Sequence, residues 1–188
     1  MFDPLLPANT IVQWHLEQMV TVTPLRVQKV LYYSHGWHLA LAGYPMVSSP
    51  MEAWTWGPVN PRVYAAFERY SKDEPIRHLA FRENGESRKL EDESNEHSRY
   101  AASLARAVCD SLKGMSDTAL FESTHEEGTP WEVAVRDFTA EFQRPPEPWD
   151  HEAISNAKIK HFFAAQLNNS SGETAAVNSS SRSDSSSR

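Results

Sequence analysis

The chain has one cysteine, Cys109, among its 188 residues. A single thiol excludes an intrachain disulfide framework and a Cys-rich zinc site. Positive charge is also in short supply: 18 Lys and Arg face 25 Asp and Glu, for a formal net charge of −7. Such a balance lacks the basic footprint that nucleic-acid phosphates require, which argues against direct DNA or RNA binding. No run approaches the roughly twenty apolar residues of a membrane span. The opening MFDPLLPANT has neither the basic nor the apolar region of a secretion signal. These absences lead to the expectation of a cytoplasmic protein of one principal domain.

Catalytic signatures are missing too. Cys109 lies in SLARAVCDSL, on the apolar side of a helical pattern with no base beside it, and reads as a small buried hydrophobe. His35 and His38 stand three apart and could share a face as a metal or proton-transfer pair. No Cys or Glu partner stands at ligand spacing, so a hydrogen-bonded core network is the plainer reading. No catalytic residue, metal or cofactor is expected.

What is present is concentrated between Thr23 and Tyr64. Thr23 offers an N-cap hydroxyl and Pro24 a preset first helical residue. No further Pro interrupts the chain before Gly43, a C-cap residue followed by Tyr44-Pro45. The pattern predicts a helix over 24–42, apolar nearly all round and therefore central. Gln28, Leu31, His35 and His38 share one side, and Arg26 and Lys29 are its only charges. Met46-Val47 and 51–56 read as short extended pieces, with Glu52, Trp54 and Trp56 on one face and a Gly57-Pro58 turn after them. Two Trp on one face either cover the core or form a partner-binding platform.

Asn60-Pro61 repeats the capped, Pro-started device for a helix over 61–71. A first helix is expected over 9–20, capped by Asn9 or Thr10. Between Arg82 and Arg99 lie six acidic and four basic residues around an Asn84-Gly85 turn, which would join 79–81 to 88–90 in a hairpin. Further helices follow to about Lys113 (Tyr100, Leu104, Ala107, Val108 and Leu112 inward), over 117–123, over 131–142, and after Ser155. PPEPW at 145–149 reads as an extended linker. From 168 onward a Ser-rich tail lacks the apolar content to fold. The fold class expected is mainly α (α+β): a helical domain over 1–167 with a long central helix and a small hairpin of short antiparallel strands, then a disordered tail over 168–188.

These segments, taken in order, resemble a known family. TPLRVQKVLYYSHGWHLALAGYP, EAWTWGPVNPRVYAAF, ALFESTHEEGTPWEVAV and SNAKIKHFFAAQ are similar to successive signatures of the Panacea domain, the SocA-like antitoxins found also in phage and mobile-element proteins. His35 stands where the family often has Gln or a small residue, and Val27 and Val30 replace Leu. The resemblance implies an antitoxin that neutralises a protein toxin by direct contact, or that acts as an adaptor delivering it to a cytoplasmic ATP-dependent protease. Carried onto this chain, the motifs mark Gln28, Tyr32, Trp37, Trp54, Trp56, Gly57, Pro58, Tyr64, Thr124, His125 and Trp131 as positions to inspect for partner binding. Two alternatives stand beside this: a phage or mobile-element protein that binds a host target, and a metal-dependent hydrolase built on His35, His38, His125 and Glu126 or Glu127. The last would require those side chains to converge in one pocket.

Overall fold

The computed structural model describes the backbone of residues 1–180 and the side chains of residues 1–168. In chain order it contains α1 (Leu5–Glu17), α2 (Pro24–Ala42), β1 (Glu52–Trp54), β2 (Gly57–Val59), α3 (Pro61–Phe67), α4 (Glu96–Leu112), α5 (Asp117–His125), α6 (Pro130–Phe142) and α7 (Asn156–Ser180). Short 3-10 turns lie at Leu90–Asp92 and Pro148–Asp150. Among the described residues the fold is mainly α with one two-stranded antiparallel sheet.

α2 has the bounds its punctuation predicts. The Thr23 hydroxyl accepts from Arg26 N–H at 3.1 Å, a cap worth about 1 kcal/mol. Gly43 closes the helix at φ 85°, its N–H bonded to Leu39 O. Two buried clusters flank this helix. On one side Val27, Val30 and Leu31 meet Ile11 and Val12 of α1, Val63 and Phe67 of α3, and Ala101, Ala105 and Cys109 of α4. On the other, Tyr32 and Leu39 meet Met51, Ala53, Ala134, Ile154, Ile159 and Phe163. Gly36 lets the Phe163 ring of α7 rest directly on the α2 backbone, because a Cβ there would collide with that ring. Burying that ring contributes about 2–3 kcal/mol.

Several expectations are corrected. α1 begins at Leu5, and Asn9 and Thr10 are not caps but buried mid-helix residues. Asn9 brackets Ala80: its Oδ1 accepts from Ala80 N–H at 2.8 Å, and its Nδ2 donates to the carbonyls of Ala80 and Arg88 at 2.9 Å each. Thr10 Oγ1 accepts from Leu90 N–H and donates to Glu91. The predicted 79–90 hairpin does not form. Gly85 makes the turn at φ 78°, but the flanks take their bonds from α1 and their neighbours instead of forming a ladder. α3 stops at Phe67, four residues before the predicted end. Tyr100 is exposed on α4 and Ala107 faces outward, while Ser98, Ala101 and Ala102 take the inner face. The expected linker at 145–149 ends in a 3-10 turn. The tail expected from residue 168 falls on the last turns of α7, and residues 181–188 lie outside the described residues.

Candidate functional site

The family-like residues gather around the hairpin of β1 and β2. Its register is Glu52 with Val59, Ala53 with Pro58 and Trp54 with Gly57, so Thr55 and Trp56 make the turn and Gly57-Pro58 belongs to the second strand. This corrects the expected turn position and separates the two Trp side chains. Residues 152–154 close the outer edge of β1: Ala53 N–H donates to Glu152 O and Ile154 N–H to Met51 O, both at 2.8 Å. Pro58, which cannot donate, stands on the strand facing the helices.

The hairpin is held from beneath by α2. Gln28 takes both backbone groups of Asn60, accepting from its N–H at 2.8 Å and donating to its carbonyl at 3.3 Å. Asn60 in turn caps α3 through Val63 N–H and donates to Ser49 Oγ and Pro50 O. One side chain pair thus sets where the strand ends and the helix starts. Next to it, Lys29 is 1 % exposed. Its ammonium nitrogen donates to Trp56 O, and to Pro58 O at 3.4 Å. Burial pushes its pKa down from 10.5 to about 7. The sequence marks Lys29 only as one of the two charges of this helix, with no role attached. The available signal was a lone Lys among Val27, Val30 and Leu31, where a charged side chain has to find acceptors.

Gly57 is required by this clamp. Its φ is 93°, and a Cβ would collide with Lys29 Nζ and lie 2.9 Å from His125 Cε1 and 3.0 Å from Thr124 Oγ1. His125, the last residue of α5, sits between Phe121 and Trp131, with ring centroids 3.8 and 3.9 Å away. Its Nδ1 donates to Phe121 O at 2.7 Å. Burial lowers its pKa, and the nearby Lys29 adds to the effect. Because Nδ1 carries its proton toward a carbonyl, it is not positioned as a base for Thr124 Oγ1, 3.2 Å away, which itself donates to Phe121 O. Trp131 of α6 completes the set by donating from Nε1 to Trp54 O at 2.9 Å.

The marked residues therefore divide by depth. Gln28, Tyr32, Gly57 and Pro58 are buried. Trp54, His125 and Trp131 are half-buried, with Trp54 packed on Tyr64 at 4.9 Å between ring centroids. Trp56 is 68 % exposed, and Tyr64 is partly exposed. Trp56 leans on Phe121 of α5, 5.9 Å between centroids. Tyr32 is not part of this group; it lies in the second core cluster against Phe163.

The other chemistry-bearing residues do not converge. His35 Nε2 bonds Asn156 Oδ1 of α7 at 2.9 Å, and His38 Nδ1 donates to Tyr44 O at 2.9 Å. Burial lowers the pKa of His35 to about 4. His125, on α5, bonds Phe121 O and packs against the hairpin, so the three histidines are tied to three different places. Among the described residues, no group of three or more His, Cys, Asp or Glu side chains is placed to hold a metal ion. Cys109 is buried and its thiol is pushed up to about 12, which keeps it protonated. Among the described residues, no helix is long and apolar enough to cross a membrane.

Comparison with known proteins agrees with the signature segments that fall between residues 27 and 132, while the segment at 155–166 lies beyond the match. The family model described as "Antitoxin SocA-like, Panacea domain" matches residues 27–132, a span that includes most of the central helix, the hairpin, His125 and Trp131. The chain is also similar to "Antitoxin SocA" of Caulobacter vibrioides (strain NA1000 / CB15N), 44% identical over 48 residues. That match covers 26% of this chain and 26% of the relative, so the chain spans about a quarter of the curated relative it matches. No solved structure matches. With the family model covering more than half of the chain and its motif residues assembled around one clamped hairpin, the protein belongs to the SocA-like antitoxin, or Panacea domain, family.

Proposed function

We propose that this protein is the antitoxin of a toxin–antitoxin pair and neutralises a cognate protein toxin in the cytoplasm by direct contact through the hairpin tip. The observation that carries the reading is Trp56. A large aromatic side chain stands 68 % exposed on a turn whose backbone is tied down by a buried Lys29. Exposed Trp and Tyr on a preorganised surface are the residues that dominate binding energetics. Trp54 and Tyr64 pack together apart from Trp56 and make a second aromatic contact area for the partner, whereas Gln28, Gly57, Pro58, His125 and Trp131 hold the hairpin in shape. The net charge of −7 favours encounter with a basic partner.

The test is co-expression. The open reading frame adjacent to this gene is expressed alone and with the full chain, and growth and co-purification are scored. Growth arrest relieved by this protein, with a stable complex, supports direct neutralisation. Relief accompanied by rapid loss of the partner protein assigns it the role of an adaptor for an ATP-dependent protease. Absence of toxicity from either neighbouring gene removes the toxin reading in favour of a host target.

A further inference from the structure

Two titratable groups hold the hairpin tip from below, and no anion balances them. Lys29 of α2 donates to the carbonyls of Trp56 and Pro58, on either side of Gly57. His125 of α5 turns its Nε2 toward the carbonyl of Thr55, at 3.4 Å. A Cβ on Gly57 would meet Lys29 Nζ and lie 2.9 Å from His125 Cε1, so the ammonium and the imidazole edge face each other across one glycine. The turn that carries Trp56 therefore rests on two nitrogen groups that can both become cations.

The surroundings supply dipoles and rings but no countercharge. Lys29 faces the two hairpin carbonyls and, from α5, Thr124 and His125. His125 faces the Phe121 carbonyl and the Thr124 hydroxyl of its own helix, the Thr55 carbonyl of the hairpin, the Trp131 ring of α6 and Lys29 of α2. Among the described residues no carboxylate forms a hydrogen bond or ion pair with either group. Buried charges are normally paired, and these two have only each other.

The neutral ring suits this site better than the charged one. Nδ1 donates to Phe121 O at 2.7 Å, which leaves Nε2 as the bare nitrogen of the neutral imidazole. A proton on Nε2 would gain a long bond to Thr55 O and would set a second cation beside Lys29. Burial lowers the pKa of His125, the Phe121 and Thr55 carbonyls raise it, and Lys29 lowers it further. Burial holds Lys29 at about 7. As pH falls, Lys29 charges first and His125 charges against it. Both bind protons more weakly in the closed turn than in water, so by linkage protons favour an arrangement in which these groups reach water. That arrangement is a turn lifted off Lys29 and His125, with Trp56 carried along.

We infer that the hairpin tip is an acid-released latch: proton uptake by Lys29 and His125 frees the turn over residues 55–58, and the protein lets go of its partner as pH falls. For the partner the inference rests on the toxin-binding reading, whereas the movement of the tip is a property of this chain alone. Release that takes up one proton weakens binding by up to about tenfold per pH unit, and two protons by up to about a hundredfold.

The experiment uses the full chain labelled with 5-fluorotryptophan and follows its fluorine NMR lines from pH 8 to pH 5.5. The Trp56 and Trp131 lines are assigned by their loss in Trp56→Phe and Trp131→Phe. Trp131 lies against His125, 3.9 Å between ring centroids, and so reports the imidazole directly. The Trp56 line is expected to shift and narrow as pH falls, in a first step near pH 7 and a second that shares its midpoint with Trp131. In Lys29→Met the first step should vanish and the Trp131 midpoint should rise, because the opposing charge is gone. In His125→Gln the second step should vanish. Circular dichroism checks that each variant is folded. A Trp56 line that stays unmoved and equally broad while Trp131 titrates overturns the inference, and the natural chain alone decides this. A Trp131 midpoint unchanged in folded Lys29→Met overturns it too. Co-purification with the product of the adjacent open reading frame, at pH 7.5 and at pH 6, then separates the two ideas. A complex that weakens about tenfold in the natural chain, and less in His125→Gln, supports release. A moving tip with no toxic neighbour keeps the latch and removes the toxin. Rescue and a stable complex with an unmoved Trp56 line remove the latch and leave neutralisation standing.

Discussion

Two irregular stretches of this protein are held to helices by buried polar side chains, and they are held differently. The segment from 76 to 93 is fastened to α1 by Asn9 and Thr10, which replace the ladder that a hairpin would have supplied. The hairpin over 52–59 is fastened to α2 and α5 by Gln28, Lys29 and His125. Asn and Thr do not titrate, whereas Lys29 and His125 do. The first attachment closes the fold over α1. The second places two titratable groups under an exposed Trp. The family model's match begins at residue 27 and so takes in the second set of fasteners but not Asn9 and Thr10.

The largest expected effect is at the second attachment. Gly57→Ala places a Cβ against Lys29, His125 and Thr124 at a φ of 93°. Strain and overpacking together should cost about 4 kcal/mol in denaturant unfolding, along with partner binding. Gly85→Ala is the control in the other stretch: φ is 78° but a Cβ meets nothing within 4 Å. It should cost only the backbone preference, about 1 kcal/mol. Equal losses at the two glycines would mean that the hairpin is not clamped from below.

Asn9→Ala comes next. It strips three hydrogen bonds and leaves the buried Ala80 N–H without its acceptor. The expected loss is about 2–3 kcal/mol, read by thermal melting, with partner binding per folded molecule unchanged. A binding defect in folded Asn9→Ala would erase the distinction between a structural and a functional attachment.

The titratable attachment should show itself in pH dependence. Lys29 has a folded pKa of about 7 and an ordinary value of 10.5. Between these values the unfolded chain binds more protons than the folded one, so stability rises as pH rises through the window. From pH 7 to 9 the gain should be about 2 kcal/mol. Above about 9, Cys109 opposes it, because its thiol is held protonated only in the folded protein. Lys29→Met should flatten the rise between pH 7 and 9 in urea titrations at each pH. A slope that survives the substitution would locate the titration elsewhere.

How much of this was legible depended on where the determinants lie along the chain. α2 was readable to its ends because Thr23, Pro24 and Gly43 act locally on backbone geometry. The capped, Pro-started opening at Asn60-Pro61 was readable for the same reason. Asn9 looks like a cap by residue type, but its partners are 71 and 79 residues away, and no local rule could have assigned it. The charged run with its Asn84-Gly85 turn satisfies the local signature of a hairpin, yet α1 offered its flanks better hydrogen bonds. At the site, the aromatic residues and His125 were visible as motif. Lys29 was not, because a lysine reads as solvated until the two carbonyls it meets are placed by a distant hairpin. Trp54 and Trp56 seemed to share a face only while the turn was placed one residue pair too late.

The smallest effect on stability should come from the exposed aromatics, and it divides the two stretches most cleanly. Trp56 on the hairpin is 68 % exposed and Phe81 on the other stretch is 64 % exposed. Truncating either to Ala should move stability by no more than about 0.5 kcal/mol, since each leaves mostly solvent-facing area. Exposed apolar area by itself is common and carries no function. What separates the two is support: Trp56 stands on a clamped turn beside Phe121, whereas the turn near Phe81 has an open glycine at its centre. Trp56→Ala should therefore abolish growth rescue and complex formation while Phe81→Ala leaves both intact. If the two variants behave alike in rescue, exposure and not the clamp would be the relevant property, and the functional distinction between the two stretches would fail.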